Sequence, residues 1–245
     1  MIALRRAGER HHDRRKKRDV WLTFYPQGQA GPLAEGFGDL EILNEGSLPP
    51  GASVPRHAHQ DAEIVTYVRE GSLAYQESLG RSGVLQAGEF QRMTVRRGAR
   101  HIHTNVSRSD WVHVFQLWLC PSAAGVEPSH EQTRFSVAQR RGAPCVVASP
   151  DGRRGSLPIH QDVEIFSVIL DRGQHVAHEL APGRSAWLHL VDGEVAFGDG
   201  VLTTGDGAGF TAERAVSFTA RQQSELLLLD LREQGGTSRG RRGSA

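Results

Sequence analysis

Four of the twelve histidines in this 245-residue chain stand in two His-x-His pairs, His57 with His59 and His101 with His103. Side chains alternate faces along a β-strand, so residues two apart share a face and each pair presents two imidazoles to one side of a sheet. Two such strands facing each other inside a small barrel would supply four nitrogen donors, enough for Zn, Fe, Ni, Cu or Mn. A single histidine in a β protein is usually packed or hydrogen-bonded, and two pairs at strand spacing reverse that expectation. His113, His130, His160 and His189 are isolated in the sequence and read as structural. So do His175 and His178, whose spacing of three puts them on different faces of a strand.

The elements that would carry these pairs are short β-type runs: VWLTFY, DLEILN, AEIVTYV, GVLQ, FQRMTV and VHVFQLWL, then CVVAS, EIFSVIL, QHVAHEL, SAWLHLV, EVAFG, AVSFTA and SELLLLDL. They are rich in Val, Ile, Leu, Thr and aromatics, and Gly, Asp, Asn or Pro separates many of them, the pattern of a sandwich or barrel. The 28 glycines exceed the usual ~7% and ask for many turns rather than long helices. No segment keeps a helical period, so the fold class is all-β. A hydrophobic content of 38% and a net charge of +1 place the chain among globular proteins and away from disordered ones.

Other function classes fall away on the same basis. No apolar run approaches the ~20 residues of a membrane span, and the N-terminus lacks the apolar stretch of a secretory signal. The expectation is a cytoplasmic protein with no membrane partner. Residues 5–19, RRAGERHHDRRKKRD, carry a local charge of +5 but no aromatic interleaving and no basic helical stripe. They read as a solvated, mobile loop, and no nucleic-acid partner is expected. Cys120 and Cys145 sit in no zinc-ligand spacing and are too few for a disulfide framework.

Hydrophobic strand, Gly turn, strand, Gly-acid turn and strand recur in the same order in the two halves. VREGSLAY and LQAGEFQRMTV in the first correspond to VDGEVAFG and LTTGDGAGFTA in the second, matching Gly71 with Gly193 and Gly88 with Gly205. Two β units are therefore expected, 1–125 and 126–232, with the polar stretch 121–141 as linker and 233–245 as a flexible Gly/Ser/Arg tail. EPSHEQTRF within that stretch reads as a short turn of helix or an irregular crossover. On this alignment His57, His59, His101 and His103 fall on Glu179, Ala181, Phe218 and Ala220, so only the first unit is expected to hold metal.

The histidine pairs lie in longer strings. The first is Gly51-x5-His57-x-His59-x3-Glu63, and the second is Gly98-x2-His101-x3-Asn105. These resemble the two signature motifs of the cupin superfamily, with Gly71 one place late and Arg96 where proline is frequent. The ordered strings EGFGDLEILNEG, HAHQDAEIVTYVREGSL, LQAGEFQRMTV, HVFQLWLCP, EQTRF, SPDGRRGSL and HQDVEIFSVIL further resemble the pirin family, in particular its bacterial members similar to quercetin 2,3-dioxygenase. The resemblance implies a bicupin: two jelly-roll-like β-barrels, of which the N-terminal one binds one divalent metal, iron being favoured and Ni, Cu, Zn or Mn also expected. It implies ligands at His57, His59 and His101, together with a glutamate two residues after the last. That fourth position is His103 here.

Exchanging a carboxylate for an imidazole matters, because four neutral rings leave the divalent charge uncompensated and favour Ni, Cu or Zn over Mn or Mg. The activity implied is metal-dependent dioxygenation, with a flavonol or other small aromatic substrate and O2. Glu63, on the strand parity of the first pair, is the candidate catalytic base, or a group that orients a ligand histidine. Resemblance to eukaryotic pirins implies an alternative, a catalytically silent metalloprotein with a redox-sensing or regulatory binding role whose protein partner the sequence does not identify.

Overall fold

The structure, a computed structural model, describes residues 1–15, 18–28, 30–58, 62–77, 80–95, 100–120 and 126–233, with the side chains of 15, 55–58 and 100 excepted. His59, Gly98 and the expected tail from 234 lie outside the described residues. The first half forms β1 (Ile2–Arg5), β2 (His11–Arg15), β3 (Arg18–Leu22), β4 (Leu40–Leu48), β5 (Ser53–Ala58), β6 (Ala62–Glu70), β7 (Ser72–Glu77), β8 (Ser82–Gln86), β9 (Glu89–Val95), β10 (Arg100–Asn105) and β11 (Val112–Leu119). There follow β12 (Ser129–Arg134), a one-turn helix α1 (Val137–Arg140) capped by Ser136, β13 (Cys145–Ser149) and β14 (Leu157–Pro158). The second half continues with β15 (Val163–Leu170), β16 (His175–Glu179), β17 (Arg184–Asp192), β18 (Glu194–Phe197), β19 (Gly200–Thr203), β20 (Gly207–Phe210), β21 (Ala215–Ala220) and β22 (Ser224–Arg232).

These strands make two sandwiches of one plan. In the first, the four-stranded sheet β5-β10-β7-β8 accompanies the seven-stranded sheet β12-β9-β6-β11-β4-β3-β2. In the second, β16-β21-β18-β19 accompanies β1-β20-β17-β22-β15-β13-β14. The small sheets correspond strand for strand, so the repeat read from the glycines is a repeat of topology. Gly71 and Gly193 occupy the same turn with φ of +78° and +100°, and a Cβ there would stand 2.5 Å from the Trp111 carbonyl and 2.4 Å from the Gln223 carbonyl. Only glycine fits both demands.

Alternation along the central strands generates two cores from one sheet. In β11, Val112 and Val114 face the interior of the first sandwich, while Phe115, Leu117 and Leu119 belong to a separate cluster shared with Val163, Ile165, Trp187, Leu227, Leu229 and Leu231 of the second half. The two seven-stranded sheets thus pack against each other, and each large apolar side chain buried there contributes about 1.5–3 kcal/mol. Behind this seam, the interior of the second sandwich is one continuous apolar cluster that includes Phe166, Leu188, Phe210, Phe218 and Leu226. The interior of the first is divided into two smaller clusters, one around Leu73, Tyr75 and Leu85 and one around Ile64, Met93 and Val95.

Polar groups in the seam are mutually satisfied. Arg140 donates to Glu225 Oε1 at 2.8 Å, Tyr67 Oη at 2.9 Å and Ser167 Oγ at 3.2 Å, and Tyr67 bonds Glu225 as well. Arg10 donates to Glu45 Oε2 at 2.6 Å, and His113 Nε2 lies 2.8 Å from Glu45 Oε1. Burial alone would raise the Glu45 pKa, but His113 and Arg10 outweigh it and hold the carboxyl at about 2.

Two expectations are corrected here. The basic segment is no mobile loop over its described residues: Arg5 is buried in β1, His11–Arg15 and Arg18–Leu22 form a hairpin, and Arg10 is sequestered against Glu45. Among its described residues Arg10 pairs with Glu45, Arg6 with Asp206 and Arg14 with Asp19, partners distant in sequence or across the hairpin. The stretch 129–134 is a strand and neither helix nor irregular crossover, because alternate residues pair with β9. The halves also exchange strands, since β1 pairs with β20 of the second sheet while β12 pairs with β9 of the first. Among the described residues no helix is long and apolar enough to cross a membrane.

His189 sits in the seam, fully buried against Phe115, and neither ring nitrogen has a hydrogen-bond partner among the described residues. Burial, reinforced by Arg10 and opposed by Glu45 and Asp206, lowers its pKa to about 3. The unfolded chain therefore takes up a proton below about 6.5 that the folded chain refuses, and stability falls as pH drops through that window towards 3. Thermal melts from pH 7 to 5 are expected to show this loss, and His189→Leu to flatten it. An unchanged slope in the variant would refute the assignment.

Candidate metal centre

β10 carries the second histidine pair. Its residues alternate strictly, with His101, His103 and Asn105 buried and Ile102 and Thr104 on the other face. His101 is 2% and His103 4% exposed, with ring centroids 4.5 Å apart at 42°. Both imidazoles therefore face the interior of the first sandwich, as the two-residue spacing predicts.

The first pair is reached through the backbone. β5 runs antiparallel beside β10 with His57 opposite His101 and Val54 opposite His103. Three steps on β5 thus match two on β10, a bulge at Pro55 and Arg56, where a proline without an N–H costs the ladder nothing. The bulge lets both Val54 and His57 stand in register with inward-facing residues, and Val54 packs on the Leu73–Tyr75 cluster accordingly. The side chain of His57 and all of His59 lie outside the described residues. Among the described residues no three His, Cys, Asp or Glu side chains converge on a preassembled metal site.

The remaining motif residues are structural. Asn105 donates from Nδ2 to the carbonyls of Leu48 at 3.0 Å and Asp110 at 2.8 Å, and accepts from Ser107 N at 3.0 Å, closing the turn after β10. Gly51, at φ +69°, donates its N–H to the carbonyls of Asn105 and Ser107. Both hold the ends of β5 and β10 together, which fixes the histidine register.

Glu63, the candidate base, belongs to a different surface. It lies on β6 with the parity of Val65 and Tyr67, which are in the seam, whereas Ala62 and Ile64 face the interior. The carboxylate is 1% exposed and accepts from Thr94 Oγ1 at 3.0 Å and from the His160 backbone N–H at 2.7 Å, with His160 Nδ1 2.9 Å away. The parity argument carried Glu63 along with His57 and His59, but the chain turns between β5 and β6 into another sheet, and strand parity does not survive that change. Among the described residues, the histidine that Glu63 contacts is His160 of the second half.

A polar wall that the sequence reading missed stands beside β10. β7 pairs with β10 so that Glu77 is opposite His101 and Tyr75 opposite His103. Tyr75 Oη lies 3.4 Å from His130 Nε2 and donates to Gln132 Oε1 at 3.2 Å, and Arg81 reaches His130 Nδ1 at 3.3 Å. Burial and the nearby Glu77 raise the Tyr75 pKa. The available signal was the alternation in SLAYQE, where Leu73, Tyr75 and Glu77 share the inner face. His130, expected to be isolated, joins this group because β12 crosses to the first sheet.

These residues suit a divalent ion. Imidazole donors in a buried interior favour Ni, Cu, Zn or Fe, and Glu77 Oε1 is a buried carboxylate oxygen without a hydrogen-bond partner among the described residues, a group that a cation would satisfy. The strand register corrects the expected alignment by two residues: Asn105 corresponds to Ala220, so His101 and His103 correspond to Val216 and Phe218, both packed into the apolar cluster of the second half. Among the described residues no cluster of three metal-donor side chains faces that interior.

Each half of the chain matches a family model. A family model described as Pirin matches residues 6–119, and one described as quercetinase C-terminal cupin domain matches residues 146–231. Quercetin 2,3-dioxygenase of Escherichia coli strain K12 is 37% identical over 231 residues, covering 94% of this chain and 99% of the relative. A pirin-like protein of Caulobacter vibrioides is 32% identical over 200 residues, covering 81% and 86%. The crystal structure of the Escherichia coli bacterial pirin YhhW in complex with nickel(II) is similar with a TM-score of 0.88 and 37% identity, covering 96% of this chain and all of that one.

Because Glu63 holds three donors from two halves of the chain, Glu63→Ala is expected to lower unfolding free energy by about 2–3 kcal/mol, the cost of stranding buried donors. Chemical denaturation measures this, and bound metal measured on the same sample should fall far less. The reverse order would return Glu63 to the metal site.

Proposed function

The chain belongs to the pirin family, and from that premise we propose that its N-terminal barrel holds one divalent metal ion on His57, His59, His101 and His103 and uses it to oxidise a flavonol with dioxygen. The observation that carries this is the pair of buried, inward-facing imidazoles on β10, brought into register with His57 on β5. When bound, the ion would supply Lewis acidity and a common template for a phenolic oxygen and O2. The protein's part is to keep the rings in place and the cavity dry. Asn105 and Gly51 pin the strand ends, and the apolar clusters on either side of the histidines exclude water. Tyr75 and His130 stand on the same side and offer hydrogen bonds to the hydroxyl groups of a planar aromatic substrate. Orienting two reactants in one dry site is a large share of what such a reaction requires.

Relatives similar over nearly the full length are quercetin 2,3-dioxygenases by name, and one relative by structure is a nickel(II) complex. One feature favours a second reading: position 103 is a histidine where the resemblance to the family implies a glutamate. A site without that carboxylate would bind metal while lacking a base for the phenol, as a redox-sensing or regulatory metalloprotein would.

Elemental analysis of the purified chain, followed by reconstitution with Fe, Ni, Cu or Mn and oxygen-uptake assays with quercetin, separates the two. At least one metal is expected to support quercetin-dependent O2 consumption. His101→Ala should reduce both bound metal and uptake at least tenfold. Full metal occupancy with no uptake for any of the four metals would select the second reading.

A further inference from the structure

We propose that Glu77 supplies the negative charge of the metal site, the charge that position 103 does not provide. This rests on the metal reading above and adds a residue to it. Glu77 is directly opposite His101 in the β7–β10 ladder, so its side chain shares the inner face with His101 and His103. Its side chain is nine-tenths buried, at 10% exposure, and Oε1 has no hydrogen-bond partner among the described residues.

Among the described residues, the basic group paired with it, His130, does not resolve that deficit. His130 Nδ1 lies 3.9 Å from Glu77 Oε1, beyond hydrogen-bond range. The same nitrogen is 3.3 Å from Arg81 Nη1, and a guanidinium can only donate. Accepting that bond commits Nδ1 as the unprotonated nitrogen and leaves it no proton to offer Glu77. A buried carboxylate oxygen without a donor is costly, and a dication on the facing histidines is the cation that would compensate it. Conversely, histidines alone leave a dication's charge unbalanced in a low-dielectric interior.

Glu77 and the two β10 histidines do not form a preassembled trio. The assignment is therefore one of charge compensation from the neighbouring strand: Glu77 raises the affinity of the site for a dication by its proximity and does not depend on a fixed coordination geometry.

The test is titration calorimetry of metal-free full-length protein with Ni(II) and with Zn(II). Glu77→Gln keeps the shape and removes the charge, and is expected to weaken both affinities at least tenfold while near-ultraviolet circular dichroism stays that of the parent. Adding His103→Glu to Glu77→Gln returns a carboxylate to the site from the other strand and should restore the affinity. Equal affinity of Glu77→Gln and parent would overturn the assignment. So would a loss that His103→Glu does not repair, since that marks a structural effect. A parent protein that takes up neither metal would overturn the metal reading itself, together with this inference.

Discussion

The structure depends on one constraint: the central strands of both seven-stranded sheets are buried on both faces, so each must serve two cores at once. Along β6, Ala62 and Ile64 enter the sandwich interior while Val65 and Tyr67 enter the seam. Along β17, Ala186, Leu188 and Leu190 point inward while Trp187 and Val191 point to the seam. A slip of one residue in either strand would exchange the two sets entirely. The networks around Arg140, Glu225 and Tyr67, and around Glu45, Arg10 and His113, add directional restraints that apolar packing lacks. The register so fixed is what sets β11 and β9 beside the smaller sheet, and hence where the histidine strands can lie.

On that common frame the two interiors diverge. The second is filled by aliphatic and aromatic side chains and is a solid support. The first gives up continuity, placing Glu77, Gln91, His101, His103 and Asn105 between two small apolar clusters. Polar groups in such a place weaken packing, and their concentration in one barrel shows where the fold accommodates chemistry. Topology is repeated, yet the buried histidine pair sits in one copy, because side chains rather than strand order distinguish the two interiors.

Much of this was legible in the sequence, and the limits follow from physics. The strand runs, the glycine turns and the two His-x-His pairs are local patterns, and period-two alternation alone predicted that His101 and His103 share a buried face. Gly71 and Gly193 matched because the same turn imposes the same left-handed backbone. What failed was non-local. The basic N-terminal segment looked solvated because its partners, Glu45 and Asp206, are far along the chain. Glu63 was grouped with the histidines by counting residues across a change of sheet. Glu77 and His130 gave no signal as a pair, since only the docking of β12 on β9 sets them in the same interior.

The exchange of β1 and β12 between the halves has a consequence for biosynthesis. Ile2–Arg5 completes its sheet only by pairing with Gly207–Phe210, a partner some two hundred residues later. At roughly 5–20 residues per second of translation, this strand, once out of the ribosome, waits on the order of 10–40 s for its neighbour. During that time its exposed edge is open to other chains. Neither half, cut at its midpoint, would carry all the strands of its own sheet, so the two barrels are repeated in form but are built as one cooperative object.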